Sequence, residues 1–342
     1  MSASIVRDTR LAKRRRELMV CAVLAAIALA LALLGLVVGA YTVALPDLLA
    51  TLVGQGSAKD NFIVLQLRLP RVTIAIVVGI AFALSGALFQ ALFSNPLASP
   101  DIIGITTGAS SAAVAAILIL GLSGLTVSLF AFVGALAVAT TIYLLSSSGG
   151  ASSYRFVLVG IAFAFLLHGV LGYLLTRADV RDAQGALVWL VGSLSGTRWV
   201  DIAVAGAGVA VLLPVVALLA PRLRVLQLGD SSASGLGVRV APVRLGLLTV
   251  AVALAAVGTA AVGPIAFVAF VCGPIARRLL RTGGTGLVAS ALVGVVLVLG
   301  SDFAAQHLLG DTQVPVGIIT GAVGAPYLLW LLARANRTRG DS

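Results

Sequence analysis

Apolar stretches long enough to cross a bilayer as helices recur along the whole chain, separated by short polar breaks. A hydrocarbon core of roughly 30 Å takes about 20 apolar residues. Runs of that order lie at 18–40, 68–93, 102–120, 125–145, 156–176, 202–220, 243–262, 285–304 and 314–333. Ile102 to Tyr154 holds no charged residue, which leaves room for two of them. The run 243–276 is broken at Gly263-Pro264 and again at Gly273-Pro274. Proline removes a backbone donor, so this run reads as a full span and a short one at 264–276. The pattern predicts an all-α polytopic membrane protein of about ten transmembrane helices.

Local punctuation sharpens one region. Val72 to Pro100 carries no charge and stops at Asn95-Pro96, where proline disfavours helix in the preceding residue. Ser99-Pro100-Asp101 then reads as a new helix start: a serine N-cap, proline at the first helical position and an acid at the positive helix end. The expectation is a membrane helix, a tight polar turn and a second helix. Ala183 to Thr197 is apolar but too short to span, and reads as an outer-face helix or a re-entrant piece.

Composition agrees: 60% of the 342 residues are hydrophobic and 10% charged, against about 25% charged in soluble domains. The net charge of +11 is decided by placement. With the amino terminus in the cytoplasm, only Lys59, Arg68, Arg71, Arg177, Arg181 and Arg198 fall outside among the 23 basic residues. That is the positive-inside bias, and it predicts both termini in the cytoplasm. The segment RLAKRRR is then a topology anchor rather than a nucleic-acid patch. The expected layout is a basic tail at 1–17, one transmembrane domain over 18–335 with an inner loop at 221–244, and a second tail at 336–342. Leu18 to Ala40 exceeds a signal-peptide core of about 7–15 residues and reads as a retained helix. Cys21 and Cys272 sit in apolar surroundings, as buried thiols.

The residue inventory excludes several chemistries. Lys13 and Lys59 are the two lysines, and neither follows a glycine-rich loop, so a phosphate-binding loop is missing. Proton-coupled carriers keep ionisable relays inside the bilayer. Here the nearest approaches are His168, read as a hydrogen-bonded packing residue, and Asp302 near an outer helix end. No clustered His, Cys, Asp and Glu suggests a membrane enzyme. A ten-helix protein with neither motor nor relay needs outside energy, which favours a nucleotide-driven transporter over a secondary transporter.

Six motifs lie in order along the chain: Leu67-Arg68-Leu69-Pro70-Arg71; Leu84-Ser85-Gly86-Ala87 with Gln90; Asn95-Pro96-Leu97-Ala98 with Pro100; Trp189-Leu190-Val191-Gly192-Ser193; Ala261-Val262-Gly263-Pro264; and Pro315-Val316-Gly317-Ile318. Together they resemble the FecCD family, the permease subunits of ABC importers for iron-siderophores, haem and cobalamin. The likeness spans roughly residues 18–335. Gly263–Ala269 and Ile275–Leu279 resemble the siderophore branch, so a ferric siderophore is the implied cargo, with haem and cobalamin as alternatives.

The resemblance implies partners and roles. Arg68 and Arg71 would form an exposed rim meeting glutamates of an extracytoplasmic binding protein. Gly229, Asp230, Leu236 and Gly237 would lie in two short coupling helices on a cytoplasmic ABC ATPase dimer. That ATPase would hold ATP and magnesium, with no cofactor in this chain. Asn95, Pro96, Pro100, Gly263, Pro264, Gly273, Pro274, Pro315 and Gly317 would shape turns and packing. The location implied is the bacterial cytoplasmic membrane. Three departures stand out. The family's histidine is missing from Gly273-Pro274-Ile275-Ala276-Arg277, Gln306 replaces an arginine, and Gln313-Val314 replaces an acid before the Pro-Val-Gly motif. A second, non-identical permease could supply what is lost, so a heterodimer is expected ahead of a homodimer.

Overall fold

A computed structural model describes residues 3–147, 153–281, 284–308 and 314–340; Gln313 lies outside them. The regular elements among the described residues are all helices. A long first helix, α1 (Ala3–Val37), is followed by two short ones, α2 (Leu45–Leu52) and α3 (Ala58–Asn61). A wide-turn π segment (Phe62–Arg68) then runs straight into α4 (Leu69–Leu92). Next come α5 (Ile105–Leu118), α6 (Leu125–Ser147), α7 (Ser153–Arg177) and the short α8 (Val180–Val191). The remainder is α9 (Trp199–Leu226), α10 (Asp230–Gly235), α11 (Val240–Val262), α12 (Val268–Leu280), α13 (Leu287–His307) and α14 (Val316–Gly340).

Each of the ten expected spans has its helix. Seven helices among the described residues are long and apolar enough to cross a membrane, with α5 and the start of α14 as shorter apolar helices. The short α12 begins after the Gly263-Pro264 break, as the proline pattern requires. The expected basic tail is not separate from the first span: α1 runs through both.

Helix α4 is the axis of the bundle. Its most apolar stretch is 78% buried, against 11% for α7. Two buried clusters meet on it, one with α1, α12 and α13, the other with α5, α6, α9 and α11. Small residues allow these contacts. A Cβ at Gly86 would lie 1.6 Å from Ala269 O, so α4 and α12 touch backbone to backbone. Gly79 and Gly294 do the same for α4 and α13. Close approach through small residues is the expected adhesive where lipid offers no hydrophobic drive.

One helix start departs from expectation. Helix α5 begins at Ile105, not at Ser99. Ser99 Oγ does accept from Ile102 N at 3.3 Å, but this closes a turn. Gly104, at φ +86°, then breaks the chain before α5. The capping signals were real and served a turn, because the left-handed glycine resets the backbone direction.

Candidate functional site

A mouth at one end of the bundle is built around the start of α4. Arg68 Nη1 donates to Leu36 O (2.7 Å) and Val37 O (3.0 Å), and Nη2 donates to Tyr41 O. Leu36 O and Val37 O belong to the last turn of α1, whose carbonyls lack helical partners, so Arg68 caps α1 and ties it to the loop at Tyr41. Arg71 makes a bidentate pair with Asp302 of α13, the closest contact 2.9 Å. Their side chains are 16% and 6% exposed. Gln306 Nε2 adds a bond to Asp302 Oδ2 at 2.8 Å. The rim arginines expected to stand free are therefore engaged with α1 and α13. Gln306, the departure from the family pattern, serves the same carboxylate.

Below the mouth, Gln90 solves a problem set by proline. Pro274 lies inside α12 and cannot supply the N–H that Phe270 O, four residues earlier, would otherwise accept. Gln90 Nε2 donates to that carbonyl at 2.8 Å. Its Oε1 accepts from Arg277 Nη2 at 3.0 Å. Gly273 makes the approach possible, since a Cβ there would meet Gln90 Oε1 at 2.3 Å. Ser85, one turn above, donates to Ala251 O of α11 at 2.6 Å. Residues read separately as motif and packing thus form one junction of α4, α11 and α12.

Three further motif pieces converge at a second junction. Gly192, after α8, has φ +76°, and a Cβ on it would meet Pro264 O at 2.3 Å. Ser193 N donates to Val262 O at 2.9 Å, satisfying the end of α11. Gly317 N donates to Gly192 O at 3.3 Å, and a Cβ on Gly317 would lie 1.8 Å from Val191 O. The ends of α8 and α11 and the start of α14 are pinned where only glycine fits. Pro315 precedes that start, while Asn95 Oδ1 accepts from Leu97 N at 2.9 Å across the Asn95-Pro96 turn.

Two adjoining cavities of about 360 and 380 Å³ share Thr106, Thr107, His168 and Pro264. Ser99, Asp101 and Ser110 add polar groups to their walls. His168 is exposed here, its Nδ1 held by Ala164 O at 2.8 Å, so its other nitrogen is not committed by that contact. The packing role expected for His168 gives way to a wall role. Asp101 and the hydroxyls were missed because a single acid or threonine has no periodic signature.

At the opposite end of the bundle, α10 is the whole of the expected coupling pair. Helix α9 extends to Leu226 and α11 starts at Val240, which leaves one short helix rather than two. Gly229 (φ +95°) and Gly237 (φ +81°) turn the chain on either side of it. Asp230 pairs with Arg244 at 2.8 Å, tying α10 to α11. Leu228 and Leu236 are 63% and 64% exposed. Among the described residues, no group of His, Cys, Asp and Glu could hold a metal ion. Cys272 is buried as expected, and Cys21 only half-buried.

The profile of the FecCD transport family matches residues 12–334. The chain belongs to the FecCD transport family. It is thus the permease subunit of an ABC transporter rather than an enzyme, a multi-pass protein of the bacterial cytoplasmic membrane that works with an ATPase and a binding protein. Among FecCD relatives, it is 37% identical to the ferric enterobactin transport system permease protein FepG of Escherichia coli, over 95% of this chain and 98% of that one. It is 35% identical to the Fe(3+)-citrate import system permease protein YfmE of Bacillus subtilis, over 94% and 96%. The solved inward-facing structure of a metal-chelate type ABC transporter superposes with a TM-score of 0.83 at 26% identity, covering 92% of this chain and 99% of that one.

Proposed function

We propose that this FecCD permease carries ferric siderophores across the cytoplasmic membrane by ATP-driven alternating access, with both termini in the cytoplasm. The observation that carries the cargo is the full-length similarity to permeases named for ferric enterobactin and Fe(3+)-citrate. The orientation is supported by where the arginines gather. Arg16 on α1 donates to Leu279 O at the end of α12, at the end of the bundle that also carries Arg277, Arg278 and Arg281. Arg239 and Arg244, at the start of α11, follow α10 there, so this end is taken as the cytoplasmic one.

On this reading the ATPase dimer, which holds ATP and magnesium, docks on α10 through Gly229, Asp230, Leu236 and Gly237. The Asp230–Arg244 pair passes its closure to α11. A second permease covers α7, whose open face carries Phe165, Leu166 and Tyr173, each at least 61% exposed. A non-identical partner is favoured by the three family departures. The binding protein docks over the mouth shaped by Arg68 and Arg71. The cavities at Asp101 and His168 form part of the route between the two permeases, where hydroxyls offer weak, uncharged contacts to a large polar cargo.

Uptake in cells lacking their own ferric transporters tests the cargo. Cells expressing this chain with its ATPase, binding protein and second permease should accumulate radio-iron supplied as siderophore complexes. Accumulation of haem or cobalamin, with no ferric siderophore taken up, would overturn the assignment.

A further inference from the structure

A cavity of about 400 Å³ opens at the mouth end of the bundle, between the first turns of α6 and α9 and the last turn of α11. It shares no lining residue with the cavities at His168. Its walls are Leu129 and Phe132 from α6, Val204 and Gly208 from α9, and Val257 and Ala261 from α11. Leu129 and Val204 are 60% and 55% exposed, so the cavity faces outward rather than into the core. The wall residues of α6 run from Leu125 to Phe132, eight positions and a rise of about 10 Å at roughly 1.5 Å per residue. A cavity holds water stably only where two to four polar partners meet it, and beyond Thr126, Ser128 and Asp201 the wall is apolar.

The polar groups gather at the rim. Asp201 lines the mouth with Thr126 and Ser128. Arg198 pairs with Asp201 at 3.0 Å, its side chain 62% exposed. Its guanidinium reaches across toward the start of α6, where a Cβ on Gly124 would lie 3.8 Å from Nη2. The site therefore joins an apolar slot to a cation and an anion at its rim.

We propose that this cavity holds one phospholipid, with an acyl chain between α6, α9 and α11 and a zwitterionic headgroup at the rim. Its phosphate faces Arg198 and its ammonium faces Asp201. The size suits the task, since small-molecule sites occupy roughly 300–1,000 Å³. Charge complementarity selects a lipid here over a second protein chain, which would have to bury the Arg198–Asp201 pair. Because α9 and α11 flank α10, an occupant of this cleft bears on the two spans next to the coupling helix.

Native mass spectrometry of the purified transporter, ATPase included, tests this directly. Each copy of this chain should retain one phosphatidylethanolamine through detergent exchange. Val204→Trp, which fills the cavity from an exposed position, should cut the retained fraction at least five-fold. Val211→Trp, on the same helix at a position 69% exposed and outside the cavity, should leave it unchanged. Arg198→Gln should lower it two- to five-fold, with the thermal midpoint near wild type. Equal retention in Val204→Trp and wild type, or none in wild type, would overturn the proposal. So would separation of the paired permeases by Val204→Trp with no lipid lost, because the cavity would then belong to a second copy.

Discussion

Replacing Gly86 with alanine is expected to remove nearly all correctly folded protein from the membrane. The added Cβ would sit 1.6 Å from Ala269 O and 2.8 Å from Ala269 Cα. Both are backbone atoms, so no rotamer change relieves the clash and α4 must part from α12. That separation also draws Gln90 away from Phe270 O and leaves Pro274's orphaned acceptor unpaired in a buried setting. The loss should exceed the roughly 1–3 kcal/mol usual for overpacking, since a buried acceptor is stranded as well. Gly206→Ala is the control: nothing lies within 4 Å of its added Cβ. It exchanges a helical glycine for a better helix former, worth roughly 0.5–1 kcal/mol. Size-exclusion profiles of detergent extracts should show little monodisperse Gly86→Ala and a normal Gly206→Ala. A normal Gly86→Ala profile would contradict the α4–α12 contact.

The second large effect is at the mouth. Arg71→Ala should destabilise the protein by about 3–5 kcal/mol, because it leaves the nearly buried Asp302 carboxyl without its cation. The paired replacement Arg71→Met with Asp302→Leu should restore most of that stability, since an apolar pair of similar size often matches a buried ion pair. The comparison also separates two roles for Arg71. If the double variant is stable and transports normally, Arg71 is a structural residue and contributes nothing to binding-protein docking. If it is stable but its transport falls at least ten-fold, docking depends on the arginine itself. Thermal midpoints and uptake, measured on the same preparations, decide between these outcomes. A stable Arg71→Ala single variant would refute the buried pair.

The legible part of this chain was whatever repeats or punctuates. Charge-free runs marked every span and Gly263-Pro264 marked the break before α12, because lipid forces each backbone group to find a partner within its own helix. The second break expected at Gly273-Pro274 is absent, since α12 runs through Pro274 to Leu280 with Gln90 serving the carbonyl that the proline leaves unpaired. The motif residues were legible as a set, but their meeting was not. Nothing near Gly192 signals that Gly263 and Gly317 will press against it. Arg71 reads as a free rim charge until Asp302, 231 positions away, is brought beside it. Arg68 likewise reads as a docking group until Leu36 O and Val37 O need a donor. The start of α5 was misplaced because Ser99, Pro100 and Asp101 cap a turn as well as they cap a helix, and the deciding residue is Gly104. His168 looked like packing because exposure toward an open helix face leaves no mark in an apolar sequence.

These features converge on a wall with no energy source of its own. Helix α4 holds the bundle rigid, α10 offers exposed leucines to an external motor, and the described spans hold neither a nucleotide loop nor a relay of acids. Reconstitution into vesicles with the partner permease, the ATPase and a loaded binding protein measures this directly. Ferric siderophore should cross only when ATP is present on the ATPase side, and an ATPase unable to hydrolyse should abolish uptake. Steady uptake driven by a proton or sodium gradient, in vesicles that contain this chain and no ATPase, would contradict the account.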